Sequence, residues 1–263
     1  MERRKPLQDE IRKRYVKDIK SADVWSVFKI IADFVQGFDE LGELGPSVTI
    51  FGSARTATND RYYAKAETLA EMLGKSGFNV MTGGGPGIME AANKGAFKVK
   101  DIESIGLNID LPFEQTPNPY TTKEQTFDYF FSRKVMLVKY SMAYVIFPGG
   151  FGTLDELFEA LTLIQTRKVS GVKVFVVGVD FFQPLMDFMK NSLAAEGMID
   201  EVDLDIITLT DDLELVCREI ESSLHTQIDV LKEEGLESTS YYKSLSNFFI
   251  HRKINDSKDS YEI

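Results

Sequence analysis

The sequence predicts an α/β fold: a Rossmann-like, doubly wound parallel sheet with helices on both faces, plus an N-terminal helical extension. Three observations predict it. Short runs that are apolar throughout alternate with helical patterns, as in strands buried on both faces of a parallel sheet. Two glycine-rich turns, Thr82 to Met89 (TGGGPGIM) and Pro148 to Glu156 (PGGFGTLDE), each stand between a β-like run and a helix. Ahead of the first strand, Trp25, Phe28, Ile31, Val35 and Phe38 recur at three- and four-residue steps, the period of an amphipathic helix.

The elements follow in order. The helix from about Ala22 to Leu41 packs either on the sheet domain or on a second subunit. Ser47 to Gly52 is a β-branched strand, followed by a helix from about Asp60 to Lys75. NVMTG leads into the first glycine turn, and GIMEAANKGAF is its helix. Ser104 to Ile109 is a strand, followed by a loop broken by Pro112, Pro117 and Pro119. A helix around Arg133 to Tyr140 precedes the strand Ala143 to Phe147 and the second turn, whose helix runs from Thr153 to about Gln165. KVFVVGV, a helix near Pro184 to Glu196, DIITL and a last helix from Asp211 complete the alternation. The expected organisation is an extension over 1–45, a nucleotide-binding catalytic domain over 46–224 and a polar, mostly irregular tail over 225–263. That tail carries an aromatic cluster at Tyr241, Tyr242, Phe248 and Phe249.

Composition narrows the function. The 263 residues suffice for one large core, and no apolar run is long enough to span a bilayer. One cysteine, Cys217, excludes an internal disulfide and fits a reducing, cytoplasmic compartment. A formal charge of −11 argues against nucleic acid as partner. The one dense basic cluster, Arg3, Arg4, Lys5, Arg12, Lys13 and Arg14, is broken by Asp9 and Glu10 and reads as a solvated helix face. The two histidines, His225 and His251, lie in the tail, so neither a Ser-His-Asp triad nor a His-rich metal site is expected in the core.

A strand that runs into glycines and then a helix leaves unpaired N–H groups at the helix start, and with the helix dipole they form an anion site. Gly83, Gly84, Gly85, Gly87 and Met89 of the first turn, and Gly149, Gly150, Gly152 and Thr153 of the second, are therefore candidate substrate-binding residues. Ser53 and Arg55, at another strand end, either form a turn or reach a phosphate. Arg133 and Lys134 either face water or deliver positive charge to the pocket reached by the following βα unit. Thr153 and Glu156 fit a capping box as well as a reactive carboxylate, and the helix start would keep Glu156 ionised in both cases. The dinucleotide pattern G-x-G-x-x-G fails because Gly87 arrives one residue early, which disfavours hydride transfer even with Asp110 as a ribose-binding acid.

With these residues in view, the sequence resembles the LOG family, the cytokinin riboside 5′-monophosphate phosphoribohydrolases, many of whose members carry the label "possible lysine decarboxylase". The resemblance runs from about Ser47 to Ser223 and rests on GGGPGIMEAANKGA and RK…PGGFGTLDE, with the spacing from Arg133 to Glu156 kept. The leading helix and the FGSAR and NPY segments are similar to a longer bacterial branch with AMP nucleosidase members. The resemblance implies hydrolysis of the N-glycosidic bond of a nucleoside 5′-monophosphate, with Arg133 and Glu156 as the catalytic pair, no cofactor or metal, and a homodimer or larger assembly. Glycosidic cleavage builds positive charge on the ribose, where a fixed carboxylate acts mainly in the transition state. A non-catalytic nucleotide or molybdenum-cofactor carrier on the same fold is the alternative. Decarboxylation would require pyridoxal phosphate on a lysine, which neither glycine turn provides.

Overall fold

The computed structural model describes residues 23–110 and 117–246. The basic N-terminal cluster, Pro112, Phe248, Phe249 and His251 lie outside them. Helix α1 (Asp23–Leu41) leads into β1 (Ser47–Phe51), α2 (Arg61–Lys75), β2 (Asn79–Thr82), α3 (Ile88–Phe97) and β3 (Ser104–Ile109). Then come β4 (Lys123–Phe127), α4 (Phe130–Lys139), β5 (Ala143–Ile146), α5 (Phe151–Gln165), β6 (Lys173–Val177) and α6 (Val179–Phe188). A π-helical segment (Met189–Ala194), a 3-10 turn (Glu201–Ile206), β7 (Ile207–Thr210) and α7 (Leu213–Glu233) follow.

The seven strands form one sheet in the order β4-β3-β2-β1-β5-β6-β7, with every pairing parallel. The chain builds outward from β1 to β4, then returns to place β5 on the other side of β1. Ligands of such sheets bind beyond the carboxyl ends of the strands at this reversal. Alternate strand residues serve two cores. Val48, Ile50, Val80 and Val145 face α2, α3 and α7, while Phe51, Met81, Tyr144 and Ile146 face α4, α5 and α6.

Two expectations are corrected. Residues 123–127, between the proline-broken loop and the helix of Arg133, where the sequence predicts no element, form the edge strand β4, paired to β3 from Ile105↔Lys123 to Ile109↔Phe127. An edge strand buries little on its outer side, so KEQTF needs only Gln125 and Phe127 inside. The tail boundary at 225 cuts through α7: Val216, Ile220, Leu224 and Ile228 continue one buried stripe, residues 240–246 are helical again, and Leu245 is buried in the same core. In helix α1 the stripe of Trp25, Phe28, Ile31, Val35 and Phe38 is 42–72% exposed, which sets aside the sheet domain as its cover and leaves the second subunit. The helix docks on its own chain through Asp33, Gly37 and Leu41, which are buried.

Candidate active site

Three loops meet at the reversal of strand order, and backbone hydrogen bonds join them. Ser53, two residues beyond β1, donates its N–H to Pro148 O (3.0 Å) and accepts at its own carbonyl from Ile88 N–H (3.0 Å). It therefore bridges the two glycine turns. The Arg55 N–H donates to Ser53 Oγ (3.0 Å), so these residues do make a turn, with the Arg55 side chain outside it and exposed.

The first turn is shaped by close approach. Gly84 (φ 71°) and Gly87 (φ 70°) lie in the left-handed region. A Cβ on Gly84 would stand 2.1 Å from Asn108 Oδ1, and one on Gly87 2.3 Å from Ser53 O. A buried polar network holds this turn. Thr82 Oγ1 donates to Asn93 Oδ1 (2.6 Å) and accepts from Gly84 N–H (3.0 Å). Asn118 Nδ2 donates to Gly85 O (3.1 Å) and to Asn93 Oδ1 (3.0 Å), and Asn93 Nδ2 donates to Ser104 Oγ (3.0 Å). Sequence reasoning did not single out Asn93, Asn108 or Asn118. The available signal was an asparagine among the apolar positions of GIMEAANKGAF. The Gly84 and Ile88 amides are thus spent on protein acceptors.

That turn is open. Gly150 is the N-cap of α5 and supplies no side-chain cap. The first return bond runs from Leu154 N–H to Gly150 O (3.0 Å), so the N–H groups before it have no intrahelical acceptor. A Cβ on Gly150 or Gly152 would meet nothing within 4 Å, whereas one on Gly149 would stand 2.1 Å from Thr153 Oγ1. Thr153 is buried against Gly149. The capping box is thereby overturned: the helix begins two residues before Thr153, so Thr153 is not its cap.

Glu156 lies in the second turn of α5, beyond the strongest reach of the helix dipole. Its Oε1 is 3.5 Å from Arg133 Nη2, with side-chain exposures of 14% and 10%. Desolvation lifts the Glu156 carboxyl to about 7, with Arg133 and Lys134 pulling the other way. This corrects the expectation of ordinary ionisation. A cavity of about 10 Å³ lies behind it, bordered by the apolar Phe51, Leu137, Val138 and Ala160, by Tyr144 and by the charged Lys134 and Glu159. Burial also lowers the pKa of Arg133, against the pull of Glu156, but a guanidinium remains charged.

Arg133 also connects the two turns. A Cβ on Gly83 would stand 3.2 Å from Arg133 Nη1 and 2.8 Å from Met89 Sδ, so both side chains cover that glycine. Among the described residues, Arg133 Nε and Asn108 Nδ2 are buried donors without a partner, an arrangement that costs about 1–3 kcal/mol each unless an acceptor arrives. Lys134 is committed elsewhere: its ammonium pairs with Asp155 (2.6 Å) and Glu159 (2.9 Å). It neutralises the two carboxylates flanking Glu156 rather than pointing a free charge at the pocket. Among the described residues, no helix is long and apolar enough to cross a membrane.

Comparison with known proteins agrees with this frame. A family model described as "Possible lysine decarboxylase" matches residues 89–220. The pyrimidine/purine nucleotide 5′-monophosphate nucleosidase of Escherichia coli (strain K12) is 28% identical over 166 residues, 58% of this chain and 36% of the relative. The chain thus spans about a third of that protein's length. The cytokinin riboside 5′-monophosphate phosphoribohydrolase of Rhodococcoides fascians is 24% identical over 185 residues, 68% of this chain and 87% of the relative. A molybdenum cofactor carrier protein from Chlamydomonas reinhardtii superposes with a TM-score of 0.52 at 20% identity, covering 69% of this chain and 99% of its own. That likeness speaks for the fold alone.

Proposed function

The chain belongs to the family described as possible lysine decarboxylase, and on that premise we propose that it hydrolyses the N-glycosidic bond of a purine nucleoside 5′-monophosphate, AMP or an N6-substituted AMP. The products are the free base and ribose 5-phosphate. The observation that carries this reading is the buried Arg133–Glu156 pair at the meeting point of two glycine turns. The names of the relatives, a nucleotide nucleosidase and a phosphoribohydrolase, support the reaction class.

The chemistry follows from the geometry. The open N-terminus of α5, with Gly150 and Gly152, receives the phosphate, and that remote binding orients the sugar. As the bond from C1′ to the base nitrogen breaks, its electron pair leaves with the base and positive charge grows on the ribose. Glu156, ionised, stabilises that charge and accepts a proton from the attacking water, whose oxygen bonds to C1′. A proton returned to the base completes the balance. Arg133 holds substrate oxygens through its unpartnered face. Decarboxylation fits less well, since Lys134, the lysine beside the pair, is held by two carboxylates.

The protein acts in the cytoplasm as a homo-oligomer. Supporting the assembly, Trp25, Phe28, Ile31 and Val35 on α1 and Phe151 on α5 are 50–95% exposed, apolar side chains that a second copy would take out of water. Chromatography of AMP, GMP, CMP and N6-substituted AMP after incubation tests the activity. Release of base supports it, and tight binding without release favours a carrier. Light scattering at micromolar concentration tests the assembly, and a monomer there refutes it.

A further inference from the structure

Helix α4 carries Arg133, and its N-cap residue Tyr129 makes no side-chain cap hydrogen bond. A carboxylate from another helix holds the chain where it enters α4. Asp33 of α1 accepts from Asp128 N–H (3.1 and 3.2 Å), Tyr129 N–H (3.1 Å) and Ser132 Oγ (2.6 Å). Asp33 is 7% exposed, and Ser132, the residue before Arg133, is fully buried. The two helices then run side by side in the same direction. Phe34 meets Phe131 at 6.4 Å between ring centres, Gly37 admits Met136 (its Cε 2.8 Å from a Cβ placed there), and Lys139 Nζ lies 5.7 Å from the Phe38 ring centre.

The guanidinium of Arg133 lies 5.4 Å from the centre of the Phe130 ring, a residue of the same first turn of α4. Among the described residues its one ion pair is the 3.5 Å approach to Glu156, and its Nε has no partner. The guanidinium therefore goes where the first turn of α4 puts it. We propose that Asp33 is a positioning residue for Arg133, fixing the start of α4 across the helix boundary and thereby the place of the guanidinium between Gly83 and Glu156. The kinetic part of its test rests on the hydrolase reading above.

The test compares Asp33→Ala with Asp212→Ala, a cap removed from the remote helix α7, where Asp212 accepts from Leu215 N–H (3.0 Å). Asp33→Ala removes the acceptor of two amides and the Ser132 hydroxyl and Asp212→Ala that of one amide, so each should lower Tm by a few degrees or more, Asp33→Ala further. Asp33→Ala is expected to lower kcat for AMP by roughly 10- to 100-fold, the scale of a small misplacement of a reacting group, with less change in KM. Asp212→Ala should stay within about twofold of the unaltered enzyme, as a cap lost far from the site leaves the transition state untouched. Tyr129 has the extended backbone of a capping residue (φ −122°, ψ 136°), so Tyr129→Ser in the Asp33→Ala background supplies a local cap and should recover part of kcat. Equal kcat for Asp33→Ala and Asp212→Ala would overturn the inference. If the unaltered protein turns over no nucleotide, the hydrolase reading fails alone, and amide hydrogen exchange over 128–136 decides this one. Faster exchange in Asp33→Ala but not in Asp212→Ala supports it; unchanged exchange overturns it.

Discussion

Arg133 Nη2 approaches Glu156 Oε1 to 3.5 Å, close enough to pair and too far for a tight hydrogen bond. Both side chains are withdrawn from water, and burial outweighs their mutual attraction in each case. At neutral pH the site therefore holds a permanent cation beside a carboxyl poised between its two states, the condition a general base requires.

Replacing Glu156 by Gln keeps the shape and removes the charge. The kcat for AMP should fall by roughly 10²-fold or more with modest change in nucleotide affinity. No cap is lost, because Gly150 and not Thr153 starts α5, so Tm should not fall. A Gln variant with near-normal kcat would remove Glu156 from the mechanism.

Stability should carry the mark of the same group. Between about pH 4.5 and 7 the folded protein retains a proton at Glu156 that the unfolded chain has released. The contribution of Glu156 therefore becomes less favourable as pH rises across that window. Urea unfolding at pH 4.5 and pH 8 should show the Gln variant gaining on the unaltered protein, by on the order of 3 kcal/mol for the full shift. A constant gap would mean that Glu156 ionises normally.

Lys134→Ala should act through Glu156. Its loss removes a cation that lowers the Glu156 pKa and frees the carboxylates of Asp155 and Glu159. The acid limb of kcat/KM should then move to higher pH, with much of the activity restored at pH 9. The ionisation of the substrate phosphate is common to both proteins and cancels in the comparison. A drop of equal size at every pH would instead give Lys134 direct contact with substrate.

The two turns should respond differently to a methyl group. Gly84→Ala places a Cβ against Asn108 in a left-handed backbone and should cost on the order of 1–3 kcal/mol, read as lower Tm. Gly152→Ala meets no protein atom within 4 Å, and in a helix it should gain up to about 1 kcal/mol. Its cost should appear as a raised KM for AMP. An unchanged KM would place the phosphate elsewhere.

The strand and helix alternation was legible because parallel strands in this chain are apolar on both faces, and both glycine turns lie where their sequence put them. Four features were not. β4 is polar because it is an edge. Helix α1 docks on its own chain through a glycine and an aspartate, a contact that apolar periodicity does not mark. The stripe of α7 continues through Ile228 under a polar composition. The raised pKa of Glu156 depends on burial, which only folding brings about. The pairing of Arg133 with Glu156 rested on spacing and resemblance, and distance now gives it a physical basis.

Helix α1 has two working faces: one holds the start of α4 through Asp33, and the other presents Trp25, Phe28 and Val35 outward. A subunit that grips the outer face and a nucleotide that grips Arg133 would pull on the same rod from its two sides. Such effects are reciprocal: whatever factor association adds to nucleotide affinity, the nucleotide adds to association. Dilution and substrate depletion would then be two ways of turning the same equilibrium.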